Sequence, residues 1–193
     1  MEMKQQTSWT ETGQLPPTTD LELLQKARCG DTGAFHELVD RHGPRLYGLA
    51  VRLVGNSADA EDVVQETFTG AFRGLRAFRG QSSVKTWLTQ ILVRQAVQHH
   101  RSRRRHATVS LDQPAAGVPE VPPGQRQADI RMDVSKAILS LGREHREVIV
   151  LRELQGMSYD DISTVLAVPK GTVESRLFRA RRELQGLLKG YLP

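Results

Sequence analysis

The sequence predicts an all-α protein built as two small helical domains joined by a flexible linker. Three observations carry this. Apolar residues recur at steps of three and four through most of the chain, with no strand-like alternation of useful length. That periodicity stops between Ala107 and Gln127, where Pro114, Pro119, Pro122 and Pro123 fall. The chain has 193 residues, enough for two compact pieces that each need most of their apolar stripe buried.

The expected boundaries are a polar tail over 1–19, a first domain over 20–106, a linker over 107–127 and a second domain over 128–193. The tail holds Pro16-Pro17 and no apolar period, so it is expected to be loose. Asp20 is expected to cap a short helix bearing Leu21, Leu23 and Leu24 and ending at Gly30. Asp31 caps the next, with Ala34, Phe35, Leu38 and Val39 along one side. Gly43-Pro44 predicts a break or kink, after which Leu46, Tyr47, Ala50, Leu53 and Val54 continue to Gly55. Asn56-Ser57 opens a long helix whose Ala60, Val63, Val64, Thr67, Phe68, Ala71, Phe72 and Leu75 keep the helical period. A loop from Gly74 to Ser83 follows. Ser82 or Ser83 then caps a helix with Val84, Trp87, Leu88, Ile91 and Leu92.

Helical text returns near Ala128, with Ile130, Val134, Ala137, Ile138 and Leu141. The next helix, Arg143 to Gln155, places Val148, Leu151 and Leu154 inward and is ended by Gly156. Ser158 followed by Asp161 is a capping-box pattern that starts a short helix with Ile162, Val165 and Leu166 on one stripe. Ala167-Val168-Pro169 breaks it and sets up a second helix. That helix has Val173, Leu177, Ala180 and Leu184 on one face, and Lys170, Arg176, Arg179, Arg181 and Arg182 elsewhere. A short helix, a tight corner and an arginine-bearing second helix read as a helix-turn-helix. Thr172 and Ser175 are small enough to lie near a groove floor, and arginines clamp phosphates or guanine edges.

Charge sorts the chain into two kinds of surface. The net charge is +5 and the pI about 9.7, which favours a polyanionic partner. Between Arg94 and His106 there are five arginines and no acid, a footprint suited to phosphates. By contrast Asp59, Glu61, Asp62 and Glu66 crowd the start of one helix, with no basic residue until Arg73. Acid at a helix N-terminus is partly a dipole effect, but a patch this dense repels DNA and suits a basic protein surface. Phe78 and Trp87 beside arginines fit the stacking of unpaired bases, and equally fit a core.

The same residues exclude other classes. A single cysteine, Cys29, leaves no internal disulfide, suits a reducing cytoplasm and is expected to be a buried helical residue. The N-terminus lacks an apolar signal region, and uninterrupted apolar runs such as Val148 to Leu151 are far too short to span a bilayer. A cytoplasmic protein without a membrane segment is expected. His36, His42, His99, His100 and His106 have no metal-ligand spacing and most are expected to face solvent or phosphate, so neither a metal nor a cofactor is expected. No carboxylate cluster or nucleophile constellation suits an enzyme.

The order of these features is specific. DAEDVVQETF precedes FRGQSSVKTWLTQILVRQAVQHHRSRRR, then the Pro-rich stretch, then REVIVLRELQGMSYDDISTVLAVPKGTVESRLFRARREL. The series resembles the bacterial sigma-70 transcription initiation factors, especially the small two-domain extracytoplasmic-function group, over roughly Leu21 to Leu188. The resemblance implies a region 2 domain and a region 4 domain without a region 3 between them. It implies contact with core RNA polymerase through Asp59, Asp62, Gln65 and Glu66. It implies binding and opening of the −10 promoter element by Phe78, Arg79, Gln81, Ser82, Ser83, Lys85, Trp87 and Arg94. It implies reading of the −35 duplex by Lys170, Thr172, Ser175, Arg176 and Arg179. The polymerase supplies the chemistry, and an anti-sigma protein wedged between the two domains is a further implied partner. The chain departs from common family residues at Arg94, Gln98, Glu174 and Gly142-Arg143.

A dimeric helix-turn-helix regulator is the alternative that the C-terminal motif alone allows. The acidic helix discriminates, because an operator-binding dimer has no use for it beside a base-binding loop.

Overall fold

The computed structural model describes residues 18–107 and 125–189. The expected tail up to residue 17, residues 108–124 of the expected linker and residues 190–193 lie outside the described residues, as do the side chains of 103–107, 125–129 and 131. Every regular element among the described residues is helical: α1 (Asp20–Arg28), α2 (Thr32–Val54), α3 (Ser57–Gly74), α4 (Val84–Ala107), α5 (Gln125–Ser140), α6 (Arg143–Ile149), α7 (Tyr159–Leu166) and α8 (Lys170–Leu187). A 3₁₀ turn over Leu75–Ala77 follows α3, and a π-helical turn over Val150–Leu154 extends α6.

The helix starts follow the polar residues that precede them. Asp31 accepts from the amide of Ala34 at 3.0 Å and Asn56 from that of Asp59 at 2.8 Å. Ser83 accepts from the amide of Thr86 at 3.0 Å and Ser158 from that of Asp161 at 3.1 Å. Thr19, rather than Asp20, caps α1 through a capping box with Glu22. Asp20 is thereby freed to pair with Arg41 and His42, each at 2.8 Å. His42 is consequently buried, not solvent-facing. Cys29 is exposed rather than buried, because Ala27 takes the core position beside Leu23 and Leu24 and Cys29 falls one step beyond the stripe.

Pro44 does not break α2, which runs unbroken through it. An interior proline costs about 3 kcal/mol. Leu38 lies before it and Leu46, Leu49 and Leu53 after it, all buried on one stripe. Burial of each leucine contributes about 1.5–3 kcal/mol, so packing outweighs the lost backbone bond. Two further expectations fail. Phe72 is 49% exposed, its ring edge-on to Phe35 at 5.0 Å rather than in the core. Leu154 is 43% exposed, because the π-turn closes from the Gln155 amide to the Val150 carbonyl and rotates the last residues away. Met157 fills the place instead. The second bundle also begins earlier than Ala128, at Gln125.

Leu24, Leu46, Leu49, Val63 and Leu92 centre the first bundle, α1–α4. Leu141, Val148 to Leu151, Ile162 and Leu177 centre the second, α5–α8. The two meet along a seam. Arg146 donates to the Leu53 carbonyl at 3.0 Å, to Leu141 at 3.1 Å and to Leu139, so one guanidinium satisfies the carbonyl ends of α2 and α5 together. The Leu53 carbonyl is also 3.3 Å from His100 Nε2. On the far side of the seam, Gln90 donates to the Thr164 carbonyl at 3.1 Å, and α7 lies against α4.

Burial pushes the His100 imidazole below its ordinary value, aided by the charges of Arg146, His99 and Arg143 and opposed by the Leu53 carbonyl. Glu147 shares the space between them and is itself pushed up, chiefly by burial. A histidine held neutral by the closed seam contributes stability that is present above its unfolded pKa, about 6.5, and is lost as pH falls through the lower folded value. Small-angle scattering is therefore expected to show the two bundles separating on acidification below about pH 6.5, with a flatter profile for His100→Gln. Gly156 takes φ +65° beyond the π-turn, with open space where a side chain would stand. Gly156→Ala is expected to lower the unfolding free energy by about 1 kcal/mol in a denaturant titration, through backbone strain alone.

Candidate functional site

Three surfaces collect the polar residues that the folding core does not use. The first is the outer face of α3. Packing of Ala60, Val63, Thr67 and Ala71 into the bundle turns Asp62, Gln65 and Glu66 outward, and all three are exposed. Asp59 stands apart from them. Its carboxylate lies 2.6 Å from Asn56 Nδ2 and 3.5 Å from His99 Nε2, leaning toward α4 rather than away from the bundle. Asp62 and Glu66 border a groove whose opposite wall is Gln98, His99, Arg101 and Ser102 of α4, so the acidic edge meets the basic end of that helix.

The second surface is the loop after α3 and the first turns of α4. Arg79, Gln81, Ser83, Lys85 and Arg94 are exposed, and Ser82 is half-buried. Phe78 points inward, 7% exposed, with its ring centroid 4.9 Å from that of Trp87 and tilted 48° to it. Trp87 is half-buried and lies over Gly74, where an added Cβ would stand 3.7 Å from the indole. One aromatic thus backs the other, and only the tryptophan borders solvent.

The third surface is α8. Its entry is a corner stapled by Ser163, which donates its hydroxyl to the Val168 carbonyl at 2.7 Å and accepts the Val168 amide at 3.2 Å. Ala167 holds this corner at φ +53°. Val173, Leu177 and Ala180 are buried, and Ser175 and Arg179 are exposed beside half-buried Thr172. Several of the cations counted in the sequence are already paired. Lys170 meets Asp160 at 3.0 Å, Arg176 meets Glu144 at 2.9 Å and Arg181 meets Glu153 at 2.7 Å. Arg179 makes no ion pair among the described residues.

Sequence reasoning missed Arg45. It falls seven residues after Leu38 and four before Leu49, on the apolar stripe of α2, where a cation is out of place. That interruption was the available signal. Its guanidinium donates to the Thr89 hydroxyl at 3.2 Å, to the Lys85 carbonyl at 3.4 Å and to Gln155 Oε1 of the second bundle at 2.8 Å.

Comparison with known proteins accounts for both bundles. Residues 38–106 match the family described as Sigma-70 region 2, and residues 131–184 match Sigma-70, region 4. The RNA polymerase sigma-H factor of Pseudomonas aeruginosa is 34% identical over 191 residues, covering 90% of this chain and 95% of that protein. The ECF RNA polymerase sigma factor SigM of Mycobacterium tuberculosis is 36% identical over 174 residues, covering 90% and 86%. Among solved structures, the sigma factor RpoE in complex with the anti-sigma factor NepR from Bartonella quintana superposes with a TM-score of 0.68 at 30% identity, covering 80% of this chain and 96% of that one. CnrH in complex with the cytosolic domain of CnrY gives 0.66 at 30% identity, covering 89% and 97%. No described helix is long and apolar enough to cross a membrane. With both halves matched, and relatives aligned over nearly their full length, the chain belongs to the sigma-70 family of RNA polymerase sigma factors, in its extracytoplasmic-function group.

Proposed function

We propose that the protein binds core RNA polymerase and directs it to a restricted set of promoters, the first bundle acting at the −10 element and the second at the −35 element. The observation that carries this reading is the separation of charge. An acidic face on α3 and basic faces on α4 and α8 belong to one chain, and a single DNA-binding surface needs no acidic patch. The two bundles are the functional domains, with the Pro-rich stretch as the tether between them.

Asp62, Gln65 and Glu66 are the polymerase-facing set. Asp59 supports them from the first turn of α3. At the −10 element, Arg79, Gln81, Ser82, Ser83, Lys85 and Arg94 hold the strand. Trp87 offers the stacking surface, and Phe78 stiffens it from behind. Unstacking a base costs a few kcal/mol, and stacking on an aromatic returns about 1–3 kcal/mol. At the −35 element, Thr172, Ser175 and Arg179 face the duplex. Lys170 and Arg176 reach phosphates only by exchanging their present carboxylate partners. Surface ion pairs contribute little, about 0–1 kcal/mol, so that exchange is permitted. The chain carries no reaction of its own and acts in the cytoplasm, where the polymerase is. An anti-sigma protein is the expected negative regulator, a reading supported by the similar sigma factor RpoE having been solved in complex with the anti-sigma factor NepR.

Run-off transcription with purified core enzyme and genomic fragments tests the reading directly; initiation no more selective than core alone would end it. Reversing the charge of Asp62 and Glu66 to lysine is expected to abolish co-purification with core enzyme while leaving the circular dichroism spectrum unchanged. Arg179→Ala is expected to reduce the salt dependence of −35 duplex binding by about 0.9 in slope, the share of one phosphate contact.

A further inference from the structure

Arg45 is a seam cation whose side-chain partners, among the described residues, are a hydroxyl, a carbonyl and an amide oxygen, all neutral. Among the described residues it has no carboxylate within ion-pair distance, and its Nε is buried without an acceptor. Burial lowers its affinity for the proton with nothing to offset the effect. Arg146, the other seam arginine, is different in kind. It closes the carbonyl ends of two helices, a role that needs no anion. Arg45 instead has its closest contact, 2.8 Å, with an uncharged amide oxygen contributed by the opposite bundle.

The side chain is nevertheless aimed. Thr89 is fully buried, and its hydroxyl proton goes to the Lys85 carbonyl at 2.8 Å. Its oxygen therefore receives both terminal nitrogens of Arg45 at 3.2 Å. The guanidinium is thus fixed against the first two turns of α4, beside exposed Lys85. When the second bundle lifts away, Gln155 leaves, while the Thr89 and Lys85 contacts, all within the first bundle, remain. What is then exposed is a pre-oriented fork of donors with a free coordination side, next to the helix start assigned to the promoter strand. A guanidinium held this way matches a phosphate better than an amide, and its orientation is settled before binding.

We propose that Arg45 is a backbone-phosphate contact of the −10 strand, masked in the closed form by Gln155, whose side-chain oxygen occupies the place of a phosphate oxygen. This rests on the sigma-factor reading above. The two bundles therefore compete with DNA for one guanidinium, and closure shields the strand-binding site.

The test uses holoenzyme reconstituted from full-length chain and core polymerase. The probe is a fork-junction DNA with a single-stranded −10 segment, taken from a promoter that the wild-type holoenzyme selects from genomic fragments. Arg45→Gln is expected to weaken probe binding about tenfold and to reduce its salt slope by about 0.7, the value for one single-strand phosphate, while Arg45→Lys keeps the slope. A slope equal to wild type in an Arg45→Gln holoenzyme that assembles normally overturns the proposal. Gln155→Glu gives Arg45 a carboxylate in the closed form without touching the core. It is expected to slow probe association in the wild-type background and to have no effect in the Arg45→Gln background. Equal slowing in both overturns the proposal by a route independent of the folding of Arg45→Gln. A wild-type holoenzyme that selects no promoter removes the sigma-factor reading and this inference together, whereas normal wild-type selection with an unaltered Arg45→Gln slope removes this inference alone.

Discussion

Sharing of α4 between two cores is the constraint from which the rest of the molecule follows. Its Leu88, Leu92, Val93 and Ala96 are buried, and Val93 and Ala96 border the space shared with Arg143, Arg146 and Glu147 of the other bundle. A second side, marked by Gln90, meets α7 of the other bundle. Among its described side chains, Lys85 in the first turn and Arg94, Gln98 and Arg101 along one flank remain exposed. A helix used from two sides cannot also be wholly available to a nucleic acid. The seam is thus a statement about access as much as about stability.

The chemistry of the seam suits a contact that opens. Its polar links among the described residues include Arg146 to Leu53, Arg45 to Gln155 and Gln90 to Thr164, each ending on a neutral oxygen. Such bonds net about 0.5–1.5 kcal/mol each once water competes for the same groups. Burying a guanidinium without a counter-charge carries a desolvation cost against that gain. The balance is a closed arrangement that a large charged partner has the means to displace.

Charge pairing refines what composition suggests. Most of the excess basic charge on α8 is compensated locally by Asp160, Glu144 and Glu153, each arriving from a different segment. Those pairs hold α8 against its neighbours and leave Arg179 and Arg182 without an ion pair among the described residues, Arg182 lying over the Phe178 ring. The acidic face of α3 has the opposite character. Asp62, Gln65 and Glu66 project together because the buried period of α3 leaves them no other direction.

Legibility divides along the same lines. Helix starts at Asp31, Asn56, Ser83 and Ser158 were readable because a cap is a local bond between residues three apart. The helix-turn-helix and the acidic face were readable because period and charge lie along one helix. Other features needed partners distant in sequence. Pro44 stays inside α2 because helices packed on both of its halves outweigh its local cost. His42 is buried because Asp20 reaches it from another helix. Leu154 turns outward because a π-turn closes at Val150. Phe78 sits behind Trp87, a choice between stacking surface and core that spacing left open. By itself the sequence determined the all-helical class, the two-part plan and the sign of charge on each face, since these depend on residues within a few turns of one another. The tertiary structure alone decided which cations are already paired, which aromatic meets solvent and that Arg45 shares a seam with Gln155, because each depends on contact between segments that only folding brings together.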